Sequence, residues 1–459
     1  MSFTLKRRIY ESLPPAVTRA VGLVPFSWIA GRAYREVMAR QRMFERASRE
    51  EVLAYQEARL GERLDFVTDQ VPAYQSLRST VERLKPFEAL RAFPLTDKET
   101  LQRDMERYLP RDFGRFAHYE ITTGGTSGNQ LTLYVDDVSQ SVETAFVHRL
   151  WGRVGYTPRC RKATFRGVPF PDLPPDVYWR ENPIYNELLF SPFHMSESTM
   201  GLYVDRFLRY DPEYVHGYPS AIDLLAGFIL REGLSDRFDL VRAVFLASEG
   251  FAPQQRERIA AAFNARVFPL YGHSERLIIG GECEVAEVYH HTPDYGILEL
   301  ISDDGEALTE PGARGELVGT GLLNRSLPLV RYRTGDSATL RVSECECGRN
   351  WDRFDQVEGR WKQDMLLGRT GARISVAALN MHGTMFDRVA RYQYCQQRPG
   401  VCVLRVMAAP GFSAEDERAI LEAYKAKVGD ELDMSIELVD DIPLTDRGKL
   451  RILERNDST

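Results

Sequence analysis

The stretch ITTGGTSGNQLTLY, residues 121–134, places three glycines and four hydroxyl residues between Thr122 and Gly128. Glycine at 124, 125 and 128 lets the backbone take φ > 0 and turn its N–H groups toward one point, while Thr122, Thr123, Thr126 and Ser127 add hydroxyl donors. A loop of this composition can wrap the oxygens of a phosphate. It is not a Walker loop, because that pattern closes on Gly-Lys followed by Ser or Thr, and here Asn129 and Gln130 follow the last glycine. Alone, the run also fits an ordinary surface turn. The flanking sequence decides between the two.

Beyond the loop, LTLYV (131–135) reads as a strand, ETAFVHRLWGRVGY (143–156) as a helix and ATFRGV (163–168) as a short buried strand. Before it, Ser48 with Glu51 and Thr96 with Glu99 have capping-box spacing. The first opens a helix with Leu53, Leu60, Leu64, Val67 and Val71 on its apolar face and Pro72 at its end. The second opens one through LQRDMERYL (101–109), so residues 1–120 are expected to be mainly helical. Further on, Asp211 and Pro212 mark a short turn before YVHGYPS (214–220), and SAIDLLAGFILREG (220–233) is a helix ended by Gly233. LVRAVFLAS (240–248) is a parallel-type apolar strand running into Ser248, Glu249 and Gly250. QQRERIAAAF (254–263) is a helix and ARVFPL (265–270) a strand running into Tyr271, Gly272, His273, Ser274 and Glu275. Two strands thus end in polar loops, where doubly wound sheets place ligands. YGILELISDDGEAL (295–308) and GELVGTGLL (315–323) read as an antiparallel unit. The alternation predicts an α/β fold of layered sheets.

Composition narrows the function. With 43% hydrophobic and 27% charged residues over 459 positions, the chain reads as a soluble globular protein of two or three domains. A net charge of -7 without a basic block argues against nucleic acid as a partner. Near the N-terminus, Glu11, Pro14, Pro15 and Arg19 interrupt the apolar residues, so this segment is expected to be a helical arm packed on the body, with a membrane-surface helix as the alternative. No stretch approaches the roughly 18 apolar residues of a membrane span. Six cysteines in so long a chain do not make a disulfide scaffold, and a reducing cytoplasm is the expected location.

Five motifs then fall in a known order. The glycine loop, YGHSE (271–275), RYRTGD (331–336), GRWKQD (359–364) and TDRGK (445–449) resemble the phosphate loop, Tyr-Gly-x-Ser/Thr-Glu motif, ribose motif, hinge and catalytic-lysine motif of the adenylate-forming superfamily. The chain is most similar to its phenylacetate-CoA ligase-like branch. Within that branch, YGHSER (271–276), ISVAALNMH (374–382) and FDRVARYQYCQ (386–396) resemble proteins of capsular polysaccharide biosynthesis and deazaflavin-adenylating synthetases.

The resemblance implies that the carboxylate of a small acid attacks the α-phosphate of ATP, and that the acyl-adenylate passes its acyl group to CoA or another acceptor. It assigns Thr122, Thr123, Gly124, Gly125, Thr126, Ser127 and Gly128 to the phosphates and Glu275 to Mg²⁺. Asp336 falls to the ribose hydroxyls, Arg360 to the ribose or α-phosphate, and Lys449 to catalysis. Ser248, Glu249, Gly250, Tyr271, Gly272, His273 and Ser274 are expected to line the nucleotide site, and Tyr218 and Pro219 the acyl pocket. A lysine so far along the chain implies a large N-terminal domain, 1–359, and a smaller mobile α+β C-terminal domain, 360–459, pivoting near Gln363 and Asp364. The alternatives are transfer to an amine or hydroxyl in polysaccharide biosynthesis, and a non-catalytic nucleotide-binding descendant.

A second constellation is independent of ATP. Cys283 and His290 lie in GGECEVAEVYHH (280–291) and Cys345 and Cys347 in CECGR (345–349), a donor set for a tetrahedral Cys₃His zinc site with His291 competing for the histidine role. Cys160, Cys395 and Cys402 read as core.

Overall fold

The computed structural model describes residues 13–122, 131–168, 170, 174, 176–341, 344–359, 364–379, 381, 384–386, 388–443 and 451–455. They belong to two compact units: Met1–Ile121, Leu133–Thr157 and Pro269–Arg360 form one, and Thr122–Thr132, Pro158–Phe268 and Trp361–Thr459 the other.

The first unit opens with helices. Arg49–Gln70 is capped by Ser48, whose hydroxyl accepts the Glu51 N–H while the Glu51 carboxylate accepts the Ser48 N–H, the expected capping box. Its inner face is Val52, Leu60, Leu64 and Val67. Leu53 is exposed instead, because Val52 and Leu53 are about 100° apart on the helix and only one can face inward. Leu60, Leu64, Val67 and Val71 pack with Tyr74, Phe93, Ile297 and Val330. A second departure concerns Thr96, which caps nothing. The helix Lys98–Arg103 is capped by Asp97, and the buried Thr96 hydroxyl donates to Val330 O. Near the N-terminus Phe26, Tyr34 and Val37 pack with Phe146 and Ile279, whereas Leu23 and Trp28 point outward.

The sheet of this unit is antiparallel. Its order is Gly296–Ile301, Arg314–Gly321, Tyr332–Arg341, Arg353–Glu358, Tyr289–His291, Ile279–Glu282 and then Arg266–Gly272. The expected antiparallel unit is its edge, with Ile297 opposite Thr320. The strand expected to stop before Tyr271 continues through Gly272, because Tyr271 and Gly272 pair with Gly280 and Ile279. RYRTGD enters a strand as well. Between Arg333 and Ser337 its register slips against Val318 and Glu316, leaving Thr334, Gly335 and Asp336 in a bulge. Gly335 has φ +73, a value an L side chain resists. The Glu316 carboxylate stabilises the bulge, accepting from Gly335 N–H at 2.8 Å and Arg333 Nε at 2.7 Å. A bulge re-aims the residue that follows, here Asp336.

The second unit holds four parallel strands, Ala243–Leu246, Tyr214–Gly217, Lys162–Phe165 and Glu187–Phe190 in spatial order, with Trp179–Asn182 antiparallel at the edge. Every residue of the four is buried, as expected when both faces of a parallel sheet are covered. YVHG, to which the sequence reading assigns no strand, is one of them; His216 hides the apolar run there. Residues 365–455 of this unit form a hairpin, Met365–Leu367 with Arg373–Ser375, and a four-stranded sheet ordered Asp433–Leu438, Val401–Ala408, Val389–Arg398, Leu453–Arg455. The helix Ala414–Val428, capped by Ser413 and Asp416, contributes Ile420 and Tyr424 to the core these strands share. Among the described residues, no helix is long and apolar enough to cross a membrane.

Candidate active site and metal centre

The first unit couples two of the sequence motifs. Tyr271 Oη donates to Asp336 Oδ2 at 3.0 Å, and Tyr332 Oη donates to Glu275 Oε1 at 3.1 Å. Each motif's tyrosine therefore holds the other motif's carboxylate. His273 completes the Glu275 environment: its Nε2 accepts the Ile278 N–H at 3.3 Å, which leaves the proton on Nδ1 to donate to Glu275 Oε2 at 3.1 Å. Burial opposes ionisation of Glu275, yet the donors from His273 and Tyr332 prevail and hold its pKa at about 2. Such a carboxylate is acceptor-only, the form a hard cation requires. Burial, then the neighbouring Asp336, pushes the Tyr271 phenol well above its ordinary range, so it remains a donor. Asp336 N–H donates to Thr334 Oγ1, which fixes the bulge from within. Gly272 ends the strand and Ser274 lies in the turn to Glu275.

In the second unit, Thr122 is buried and donates to Met381 O at 3.0 Å. Ser248, Glu249 and Gly250 follow the strand Ala243–Leu246 as expected, but Glu249 is turned inward. It accepts the Ser220 N–H at 3.1 Å and a short hydrogen bond from the Ser375 hydroxyl, and burial raises its pKa. Tyr218 is buried at the end of Tyr214–Gly217 and occupies the N-cap position of the helix opened by Pro219, with no side-chain capping bond. Thr123, Gly124, Gly125, Thr126, Ser127, Gly128, Arg360, Gln363 and Lys449 lie outside the described residues.

Three polar residues that the sequence reading passed over belong to this description: Tyr332, Ser375 and Arg166. Arg166 was within reach, since it is the first residue after the strand ATF and strand ends are where sheets present ligand groups. Nothing short of the tertiary pairing marks Ser375.

The four expected zinc ligands do come together. One donor atom from each of Cys283, His290, Cys345 and Cys347 lies within 4.8 Å of the others. Cys283 Sγ is 3.7 Å from Cys345 Sγ, and Cys347 Sγ is 3.5 Å from His290 Nε2. These separations are too long for a disulfide, at about 2.05 Å. They match the edges of a tetrahedron around zinc, about 3.8 Å between two sulfurs each ~2.3 Å from the metal. His291 is not part of this group, and its Nε2 donates to Gly296 O at 2.8 Å. Burial, then the charges of Arg153, Arg349 and Arg353, lowers the His290 pKa to about 3, which keeps the imidazole in its ligating neutral form. Arg349 also forks onto Glu284 with two bonds of 2.7 Å and donates its N–H to Cys347 Sγ. The donor chemistry fits zinc, with one departure from common practice: among the described residues, the buried His290 Nδ1 has no hydrogen-bond partner.

Residues 366–456 match the CapK C-terminal domain family. The chain is 23% identical to the CapK protein of Staphylococcus aureus, the match covering 79% of each. It is 26% identical to the phenylacetate-coenzyme A ligase of Thermus thermophilus, over 77% of this chain and 78% of that one. The chain is similar to the phenylacetate-CoA ligase-like family of adenylate-forming enzymes. Its fold is that of the family: the solved 2-hydroxyisobutyryl-CoA ligase, in complex with its acyl-adenylate and CoA, has a TM-score of 0.57 at 18% identity, covering 88% of this chain and 90% of that one.

Proposed function

We propose that this phenylacetate-CoA ligase-like chain activates a small carboxylic acid with ATP and transfers the acyl group to the thiol of CoA. The observation that carries the reading is the crossed pair of tyrosine–carboxylate bonds, Tyr271 to Asp336 and Tyr332 to Glu275. They bring the two carboxylates the activity needs into one fixed arrangement, as preorganised electrostatic catalysis demands.

In the first step a carboxylate oxygen of the acid bonds to the α-phosphorus of ATP and the bond to pyrophosphate breaks. In the second the CoA thiolate bonds to the acyl carbon, and the acyl–phosphate bond breaks to release AMP. Glu275 would hold Mg²⁺, which supplies positive charge against the transferring phosphate. Asp336 accepts from the ribose hydroxyls, and Arg360 with Lys449 places cations at the α-phosphate. N–H and hydroxyl donors of Thr122–Gly128 hold the outer phosphates, while the segments 248–250 and 271–274 line the nucleotide site. Cys283, His290, Cys345 and Cys347 would hold Zn²⁺ as a structural ion, since four protein ligands leave no position for substrate. A second reading, implied by the resemblance to proteins of capsular polysaccharide biosynthesis, has an amine or hydroxyl take the acyl group in place of CoA. Thiols at all six cysteines fit a reducing cytoplasm.

The test is ATP–pyrophosphate exchange over a panel of carboxylic acids, followed by mass spectrometry with and without CoA. Acid-dependent exchange and an acyl-CoA product are expected. An acyl-adenylate that CoA leaves untouched favours the other acceptors, and no exchange with any acid counts against activation altogether.

A further inference from the structure

Three of the parallel strands deliver a cluster around Arg166, a residue with no part in the proposed nucleotide site. Arg166 follows Phe165 at the carboxyl end of Lys162–Phe165, His216 and Tyr218 flank the end of Tyr214–Gly217, and Ser248 follows Ala243–Leu246. The Arg166 guanidinium lies over the Tyr218 ring, 5.3 Å from its centroid. Its Nη2 donates to Ser248 Oγ at 3.1 Å and its Nη1 to His216 Nε2 at 3.4 Å. His216 Nδ1 lies 3.1 Å from Phe245 O, a carbonyl that can only accept, so this nitrogen carries the proton and Nε2 presents a lone pair. Every group in contact with the cation is therefore neutral. Among the described residues, no carboxylate lies within ion-pair distance of it; Glu249 interacts with it electrostatically, but that carboxylate is taken up by Ser220 N–H and the Ser375 hydroxyl. Ser248 is held at φ +72, where a side-chain-bearing residue is strained, and such outliers concentrate at ligand sites.

A half-buried guanidinium that is oriented by neutral acceptors and stacked on a ring keeps its charge and its remaining N–H groups for something else. Its position, outside the carboxyl ends of parallel strands, is where open α/β sheets bind ligands. A planar fork of donors suits an oxyanion. We propose that Arg166 recognises a second anionic group on the acid substrate, so that the acid is a dicarboxylate or a phosphorylated carboxylic acid rather than a simple monocarboxylic one. This rests on the acid-activating reading and specifies its substrate class. Arg166 is then a specificity residue: it contacts the end of the substrate that does not react, with Ser248, His216 and Tyr218 holding it in position.

The experiment compares matched acids that differ only in the second anion: butyrate with succinate, phenylacetate with 4-carboxyphenylacetate, and propionate with 3-phosphonopropionate. Pyrophosphate exchange by the full-length protein is measured for wild type, Arg166→Met and Arg166→Lys. The expected result is a preference for the dianionic member of at least one pair, lost by about thirtyfold or more in Arg166→Met, mainly in KM for the acid, and partly restored in Arg166→Lys. KM for ATP should stay unchanged. The phosphonate and carboxylate pairs separate the two kinds of anion. A second readout does not depend on turnover: the dianionic acid should raise the melting temperature of wild type and not of Arg166→Met. Absence of exchange with a surviving thermal shift would count against the ligase reading and keep this one. Equal losses for both members of every pair, or a preference unchanged in a folded Arg166→Met, would overturn the proposal.

Discussion

At the scale of single residues, the role proposed for Asp336 makes a kinetic prediction. Asp336 lies on a bulge, held by the Tyr271 phenol, and ribose contacts are the same before and during the chemical step. Asp336→Asn should therefore raise KM for ATP by about tenfold with a much smaller effect on kcat. A large fall in kcat at unchanged KM would contradict the ribose assignment. Lys427 makes a prediction about stability. Its ammonium is buried and donates to Ala378 O at 3.3 Å, and burial lowers its pKa to about 8. A lysine whose folded pKa lies below its unfolded value of 10.5 is a cost at neutral pH, fully felt below about pH 8 and relieved as pH rises through 10.5. Lys427→Met should stabilise the protein at pH 7 by on the order of 2 kcal/mol, and the gain should shrink toward pH 10. Denaturant unfolding of both proteins at the two pH values measures this. A constant difference would show that packing, not charge burial, sets it.

At the scale of elements, the Cys/His cluster ties neighbouring strands together. His290 lies on Tyr289–His291, which pairs with Arg353–Glu358, and Cys345 and Cys347 occupy the turn leading into that partner strand. Cys283 follows the other neighbour, Ile279–Glu282. An ion there would hold three segments of one sheet in register. Cys345→Ser should reduce bound zinc and melting temperature together. Cys402→Ser, a buried thiol elsewhere, should leave the zinc content as it is. Metal analysis of protein purified without added zinc checks the premise, and less than about a tenth of an equivalent in folded protein would leave ordinary thiols. The helix Arg49–Gln70 offers a comparison free of metal. Leu64 is fully buried beside Leu60, Val67 and Tyr74, so Leu64→Ala should cost about 2–5 kcal/mol in equilibrium unfolding, whereas Leu53→Ala, on the outer face, should cost less than about 0.5.

At the scale of the whole molecule, the proposal requires residues 360–459 to move between the two half-reactions. The described residues from 364 onward are tied to the rest of their unit. Leu366, Val376 and Leu379 share a core with Phe165, Phe190 and Leu246, the Ser375 hydroxyl donates to Glu249, and Met381 O accepts from Thr122. A pivot near Gln363 and Asp364 would have to break these contacts and replace them. Asp364 already participates, its carbonyl accepting the Val376 N–H at 2.9 Å. If Lys449 serves adenylation alone, Lys449→Ala should lower acyl-adenylate formation by about a hundredfold or more while leaving thioester formation from supplied acyl-adenylate much less affected. Equal losses in both half-reactions would argue that no such division of labour exists.

The sequence by itself determined the parts that short-range chemistry controls. Ser48 and Glu51 specify a helix start because the donors they satisfy are three residues away, and the apolar run at 243–246 specifies a buried strand because nothing polar interrupts it. Motif order carried the family resemblance, and the Cys and His spacing carried the metal-binding hypothesis. What only the tertiary structure decided concerns partners distant in the chain. Thr96 gave up its capping role because Val330 O lay within reach, and Asp97 was available one residue later. His290 faces the thiols, while the Nε2 of its neighbour His291 donates to Gly296 O. The crossed bonds of Tyr271 and Tyr332, and the charge of Arg166 left among neutral acceptors, depend on which strands lie side by side. A local pattern reports propensity, whereas a side chain's chemistry is set by neighbours that only the packed sheet brings to it.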